Sequence, residues 1–344
     1  MEAVRILITG GGAPGAPGII KAIQQSNPNT YIFSCDVNEG TAGKILANDY
    51  FTVPIGDSES YVSELLQKCT DNGISVILPI TTKEIHSLSK HKQLFTQNNI
   101  SVIVSDFESL NIANNKALLY AHLQKHNVET PRFAQAVNYD QFKKAEKDLS
   151  IHPYIIKPCV GNGSRGFRIV TDDINEGDLL FNHKPSNTFI TNTKLHSILS
   201  TNDFPPILVS EYMPGKEYTV DCLIENGIIK FIIPRRRDKM NNGISVAGII
   251  EKNNDVIDYC KSILDSLNLN GPIGIQVKYS KNNKPLIVEI NPRIQGTTVA
   301  CIGAGVNIPS FAVFPNQLDS IQTVNDFPIK WGTQFIRHYN ELYF

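Results

Sequence analysis

Short apolar runs alternate with helical stretches through the first third of the chain, and this alternation constrains the fold more tightly than any other sequence feature. Val4-Arg5-Ile6-Leu7-Ile8, Tyr31-Ile32-Phe33-Ser34-Cys35-Asp36, Ser75-Val76-Ile77-Leu78-Pro79 and Ser101-Val102-Ile103-Val104 read as strands. Helical periodicity falls between them at Gly18–Ser26, Tyr61–Asn72 and Lys83–Asn98. Strands separated by helices predict a parallel, doubly wound α/β sheet. The periodicity lapses over Asp106–Asn115, after which Lys116–His126 reads as an amphipathic helix.

Hairpins then replace the alternation. Tyr154-Ile155-Ile156-Lys157 and Phe167-Arg168-Ile169-Val170 flank a glycine-rich loop, Ile207–Glu211 and Glu217–Ile224 flank a Pro-Gly turn, and Ile228–Pro234 continues the sheet. Val256–Asn268 is helical, and Ile273–Tyr279 pairs with Leu286–Ile290 around Lys281-Asn282-Asn283-Lys284. This half predicts an α+β arrangement with antiparallel sheets. Asp172–Pro206 is polar and has no assignable period. A chain of 344 residues is long for one hydrophobic core, so two or three compact units are expected.

Hydrophobic residues at 41% and charged residues at 19% suit a soluble globular protein, and a net charge of −1 supplies no field for nucleic acid or an anionic membrane. No stretch of about 18 apolar residues is present to span a bilayer. The first apolar run leads into a glycine loop rather than a signal-peptide pattern. The six cysteines lack CxxC or zinc-like spacing and read as small hydrophobes in a reduced, cytoplasmic protein.

Two glycine loops invite a phosphate. Gly10–Gly18 follows a strand and opens a helix, with Asp36 ending the next strand where a dinucleotide fold keeps its ribose acid. Pro14 and Pro17 remove donors and stiffen that loop. It reads as a tight turn, a substrate-binding edge or a nicotinamide cradle. The second loop, Lys157-Pro158-Cys159-Val160-Gly161-Asn162-Gly163-Ser164-Arg165-Gly166, places a lysine at a strand end before three glycines. It can close over a triphosphate or be a plain long hairpin turn, and it lacks the G-K-[ST] of a Walker A loop.

The sharpest local signal is Gln276 on one strand and Glu289-Ile290-Asn291-Pro292-Arg293 ending the next. Residues two apart in a strand share a face, so Glu289, Asn291 and Arg293 project together. Oxygen ligands without histidine or thiolate suit a hard ion such as Mg²⁺ held jointly with phosphates. A surface ion pair between Glu289 and Arg293 is the plainer alternative. Glu211-Tyr212-Met213-Pro214-Gly215-Lys216-Glu217 links two strands and can meet a nucleoside.

In this order the segments resemble the ATP-grasp superfamily, near the large subunit of carbamoyl-phosphate synthase and the ligase of pyrrolysine biosynthesis. The resemblance covers nearly the whole chain. It implies a pre-ATP-grasp, Rossmann-like domain over residues 1–109, an ATP-grasp fold over 110–305 and a closing segment over 306–344, with Gly332-Thr333-Gln334-Phe335-Ile336-Arg337 as a last strand.

Carried over by position, the resemblance puts Lys116 on the nucleotide and Lys157 on its α and β phosphates. Gly163, Ser164 and Arg165 lie in the loop above them. Glu211, Tyr212 and Met213 match the adenine site, Glu217 the ribose ligand, and Gln276, Glu289 and Asn291 the metal ligands. Arg293 matches the arginine that stabilises an acyl phosphate, and Lys157 and Arg237 join it as catalytic candidates. Arg235, Arg237 and Ser245 are expected to meet the acceptor carboxylate or product phosphate, with Thr82 and Glu84 facing the same cleft.

The implied cofactors are ATP and Mg²⁺, with Mn²⁺ as a substitute. The implied partners are a small carboxylate and an amine, without nucleic acid or membrane, and dimerisation is common among relatives. The implied reaction is amide formation through an acyl phosphate. Phosphorylation of bicarbonate or another small acid is the second expectation, and a non-catalytic nucleotide-binding regulator the third. Gln276 stands where many ATP-grasp enzymes have an acid, and the chain corresponds to one ATP-grasp half where full carbamoyl-phosphate synthase has two.

Overall fold

The computed structural model describes residues 4–161, 163, 165–182, 188–241, 243–319 and 327–343. Contacts divide the chain into two units. One comprises Met1–Asn114, Glu217–Val277 and Glu289–Phe344, the other Asn115–Lys216 and Lys278–Val288.

The first unit opens with a five-stranded sheet: β1 (Arg5–Thr9), β2 (Tyr31–Asp36), β3 (Asp49–Thr52), β4 (Val76–Leu78) and β5 (Ser101–Val102), in the order β3-β2-β1-β4-β5. All four pairings are parallel. Alternation explains why the sequence runs are apolar throughout. Leu7, Phe33, Ile77 and Val102 pack on one face with Tyr61, Leu65 and Leu88 of the crossover helices. Ile6, Ile8, Ile32 and Leu78 pack on the other with Ile19, Ile20 and Ile23. A sheet buried on both faces leaves no strand position for polar side chains to alternate. Ile294 and Val313 complete the second face, so residues 294–313 contribute to this core.

A second strand group follows in the chain: β6 (Phe133–Ala136), β7 (Tyr154–Pro158), β8 (Arg168–Val170), β9 (Phe189–Ile190) and β10 (Ile207–Glu211), ordered β6-β10-β7-β8-β9 in the second unit. Tyr154 and Ile156 enter its core with Phe142, Leu195 and Val209. Alternation therefore turns Lys157 to the opposite face of β7.

A third sheet contains β11 (Glu217–Glu225), β12 (Ile228–Asn241), β13 (Ile244–Ile250), β14 (Gly271–Tyr279), β15 (Pro285–Asn291) and β16 (Gln334–Ile336), ordered β15-β14-β11-β12-β13-β16. Leu223, Phe231, Ile233 and Ile250 bury one of its surfaces against Cys301, Val306 and Ile308.

Several local expectations change. The lapse at Asp106–Asn115 holds a helix, Phe107–Asn114, in which only Leu110 and Ala113 are buried, too few to show a period. The expected helix Lys83–Asn98 is two, Thr82–Lys90 and Lys92–Gln97, broken at His91. The fourth strand shortens to Ser101–Val102. Strand β3 was not expected, and the polar stretch after Asp172 contains helices Glu176–Asn182 and Asn192–Thr201 around β9. The closing strand is present as β16, antiparallel to β13.

The first glycine loop is built for close backbone approach. A Cβ on Gly15 would lie 2.3 Å from the Cα of Gly296, a main-chain clash that no rotamer relieves. Gly15→Ala is expected to destabilise the protein by about 1–3 kcal/mol in denaturant unfolding. Gly40→Ala, where nothing lies within 4 Å of the added Cβ, is expected to change it by less than about 0.5 kcal/mol.

Candidate active site

The expected phosphate and adenine residues belong to the second unit, and the ribose, metal and acyl-phosphate residues to the first. In the second unit, Lys157 is 5% exposed at the end of β7 and donates from Nζ to the Val288 carbonyl at 2.8 Å. Its ammonium lies 5.7 Å from the centre of the Tyr120 ring, and the Tyr120 hydroxyl donates to the carbonyls of Ile287 and Val288 at 2.8 and 3.0 Å. Lys116, also buried, opens the helix Lys116–Lys125 and donates from Nζ to the Gly161 carbonyl at 2.9 Å. It thereby ties that helix to the second glycine loop. Gly163 and Gly166 take φ of +64° and +73°, a left-handed conformation that a side chain would strain. Arg165 is exposed. Ser164 lies outside the described residues.

The Glu211 carboxylate accepts from the Arg132 main-chain N–H at 3.1 Å and pairs with its side chain at 3.6 Å. The carboxylate expected at an adenine site is thus engaged with Arg132. Glu211 and Tyr212 line a cleft of about 540 Å³ together with Arg132, His152 and Lys281. Met213 is buried, and Lys278 sits over the Tyr212 ring at 5.5 Å.

In the first unit β15 ends in a compact polar set. Asn291 Nδ2 donates to Glu289 Oε1 at 3.2 Å, and Arg293 Nη2 reaches Asn291 Oδ1 at 3.5 Å. Arg293 also donates to Thr82 Oγ1 at 3.2 Å and to the Ile294 carbonyl at 2.8 Å. Burial lowers the Arg293 pKa, with Glu84 and Glu289 opposing the shift. The profile described as ATP-grasp in the biosynthetic pathway with Ter operon matches residues 203–334, and the one described as PylC-like, N-terminal domain matches residues 6–103.

The chain carries an ATP-grasp domain behind a PylC-like N-terminal domain.

Known proteins extend the likeness. The carbamoyl phosphate synthase large chain of Lachnoclostridium phytofermentans is 27% identical over 225 residues, which are 61% of this chain and 19% of that protein. This chain thus matches about a fifth of that relative's length. The ADP complex of N5-carboxyaminoimidazole synthetase from Staphylococcus aureus superposes with a TM-score of 0.68 at 16% identity, covering 91% of this chain and 77% of that one. The L-amino acid ligase of Bacillus licheniformis gives 0.64 at 14% identity, covering 95% and 77%.

Within the ATP-grasp domain the three consecutive arginines separate. Arg235 and Arg237 share one face of β12, as alternation requires, and each has a carboxylate. Arg237 donates to Glu217, to Ser245 Oγ at 3.0 Å, to Gln276 Oε1 at 3.4 Å and to the Gly243 carbonyl. Glu217, expected on a ribose, is ion-paired with Arg237, and Ser245 is a buried partner of the same guanidinium. Arg236 pairs with Asp238 and Glu251 on the other face. Each arginine of the triplet is thus matched by an acid.

Arg235 is the most deeply buried of the three. It is fully buried, its Nε and Nη2 each lie 3.1 Å from Asp221 Oδ2, and Nη2 donates to Thr297 Oγ1 at 2.8 Å. Asp221 also accepts from Thr298 Oγ1 at 2.6 Å and from the Cys301 thiol at 3.5 Å. Burial, then the charge of Asp221, pushes the Cys301 pKa up, so that thiol is a donor and not a nucleophile.

Glu84 has partners in its own unit. It is buried, and its Oε1 accepts from Thr9 Oγ1 and from the main-chain N–H groups of Ile80 and Thr81. It anchors the turn after β4. Asp36 accepts from the Gly12 N–H at 2.8 Å, so the acid expected for a dinucleotide ribose clasps its own loop.

Among the described residues no group of three or more His, Cys, Asp and Glu could hold a metal by itself. Glu289, Asn291 and Gln276 offer one carboxylate and two amide oxygens, a hard donor set that fits Mg²⁺ when phosphate oxygens fill the remaining positions. No helix among the described residues is long and apolar enough to cross a membrane.

Sequence reasoning did not single out Tyr120, Asp221, Thr297 or Thr298. A lone acid inside the apolar run Tyr218–Ile224 was the available signal for Asp221, since a buried charge demands a partner. Asp221→Asn leaves the Arg235 guanidinium uncompensated and is expected to cost about 3–5 kcal/mol in unfolding free energy.

Proposed function

We propose that the protein is an ATP-dependent carboxylate–amine ligase that forms an amide through an acyl phosphate, releasing ADP and phosphate. The observation that carries this is the end of β15, where Glu289 and Asn291 oxygens stand beside the buried Arg293 guanidinium. Carboxylate, amide and guanidinium suit a transferring phosphoryl group, whose catalysis is mostly positioning and charge neutralisation. The S. aureus relative with its bound ADP and the L-amino acid ligase fold support the reading.

In this mechanism Lys116 and Lys157 exchange their carbonyl partners for nucleotide phosphates, and the Tyr212-Met213 main chain holds adenine. Glu217 leaves Arg237 to accept from ribose, and Arg237 turns to the phosphates. Glu289, Asn291 and Gln276 would hold Mg²⁺, which when bound supplies charge neutralisation. A substrate carboxylate oxygen attacks the γ-phosphorus, and the bond to the bridging oxygen breaks to release ADP. Arg293 stabilises the charge on the transferred group. The amine then attacks the acyl carbon, phosphate departs with the electron pair, and the ammonium proton goes to solvent.

Phosphorylation of bicarbonate or another small acid is the second reading, favoured by the identity to the carbamoyl phosphate synthase segment. A screen of small acids and amines for ADP release, with mass detection of products, separates the two. Release that requires an amine supports the ligase. Acyl phosphate accumulating without amine overturns it. Arg293→Met is expected to lower kcat and kcat/KM together by about 10²–10³-fold. Lys157→Met is expected to raise the KM for ATP.

A further inference from the structure

The third sheet ends on an open edge. β16 is its outermost strand and pairs with β13 on one side, with no strand on the other among the described residues. The Arg337 N–H donates to the Val246 carbonyl, and the Ile250 N–H donates to the Thr333 carbonyl. Odd-numbered residues therefore turn their main chain toward β13, while Gln334, Ile336 and His338 turn theirs outward. Residues 338–343 form neither helix nor strand. Such an edge is a template for another strand unless proline, lysine or a bulge blunts it, and residues 333–343 contain no proline, lysine or glycine. Ile336 is 81% exposed, Tyr339 88% and Tyr343 89%. Arg337 Nη2 donates to the Pro14 carbonyl at 3.2 Å, and among the described residues neither Arg337 nor Glu341 belongs to an ion pair. Residues four apart in one extended strand are separated by about 13 Å, so these two cannot neutralise each other along an extended chain.

We propose that this edge is a two-fold interface with a second copy of the chain, formed by antiparallel pairing of residues 335–343 about Tyr339. The segment is complementary to itself read backwards. With the two copies centred on Tyr339, Arg337 lies opposite Glu341, Ile336 opposite Leu342, Phe335 opposite Tyr343 and His338 opposite Asn340. Every such pair joins side chains on one face of the new sheet, and the two-fold repeats each of them. The outward main chain of Ile336 and His338 meets that of Leu342 and Asn340, as an antiparallel ladder requires. Registers that set an even residue opposite an odd one break this ladder. Of those that keep it, centring on His338 puts Glu341 against Phe335, and centring on Asn340 puts Arg337 against Tyr343. Tyr339 is the centre that matches the charges. Nine residues a side fall below the roughly 20–30 of a standard interface, so this dimer forms and dissociates with concentration.

Sedimentation of the full chain from about 1 to 500 μM tests the interface. The wild type is expected to pass from one chain to two over that range. Arg337→Glu and Glu341→Arg each set like charges opposite one another at both ends of the two-fold, and each is expected to weaken self-association by about tenfold or more. Mixed in equal amounts, the two variants carry opposite charges along the paired segment and are expected to associate with each other about as tightly as the wild type. The double variant Arg337→Glu/Glu341→Arg is expected to regain self-association for the same reason. Ile336→Lys, which adds a charge on the other face, is expected to weaken the dimer without a mixing effect. Glu341→Arg leaves the Arg337 contact with Pro14 in place, so its loss of association at an unchanged Tm is a result that a folding defect does not give. A wild type that stays a single chain, single variants that associate as the wild type does, a mixture that associates no better than either variant alone, or growth beyond two chains overturns the proposal.

Discussion

A buried ion pair organises the first unit. Asp221 on β11 and Arg235 on β12 lie side by side in a sheet interior, where each charge alone would be prohibitively costly. They persist because Thr297, Thr298 and Cys301 complete the hydrogen bonding. Those residues follow Arg293 directly, so the network pulls the segment after β15 onto the face of β11 and β12. Gly15 against Gly296 then seats the first glycine loop on the same segment. A glycine loop, a metal-compatible strand end and an arginine-bearing strand are held in register by one acid.

The buried cations of each unit are satisfied by groups of the same unit. Lys116 and Lys157 rest on main-chain carbonyls, Arg237 on Glu217 and Gln276, and Arg293 on Asn291, Thr82 and Ile294. Each arrangement replaces hydration at a buried charge with a fixed dipole or acid. Each of these bonds is charge-assisted, because its donor is ionised. Arg235 is the exception, since one of its donors stays unmade, at a typical cost of about 1–3 kcal/mol.

Legibility in the sequence followed the range of the interaction. Strands β1, β2 and β4 were readable because both faces are buried and every residue is apolar. β3 and the helix Phe107–Asn114 were not, because few of their residues reach the core. Glu289 and Asn291 were legible as a pair because strand alternation aligns them, while Arg293, past the end of β15, joins them through its Nη2. The partners of Glu84 and Glu211 were not legible, since Thr9 and Arg132 lie 75 and 79 residues away. Nothing local marks a carboxylate as already spoken for.

The sequence by itself determined what periodicity and covalent spacing control: a doubly wound parallel sheet, antiparallel hairpins after it, and which side chains at a strand end share a face. Only the tertiary structure decided which charges neutralise one another. Arg235, Arg236 and Arg237 are adjacent and chemically identical in sequence, and alternation separates the middle one from its neighbours. What makes Arg235 a buried pair with an unmade donor, and Arg237 a clasp on Glu217 and Gln276, is the acid that another strand brings opposite each. That is settled by sheet pairing, through Thr219 opposite Arg235 and Tyr218 opposite Arg236, because charge is compensated across space and not along the chain.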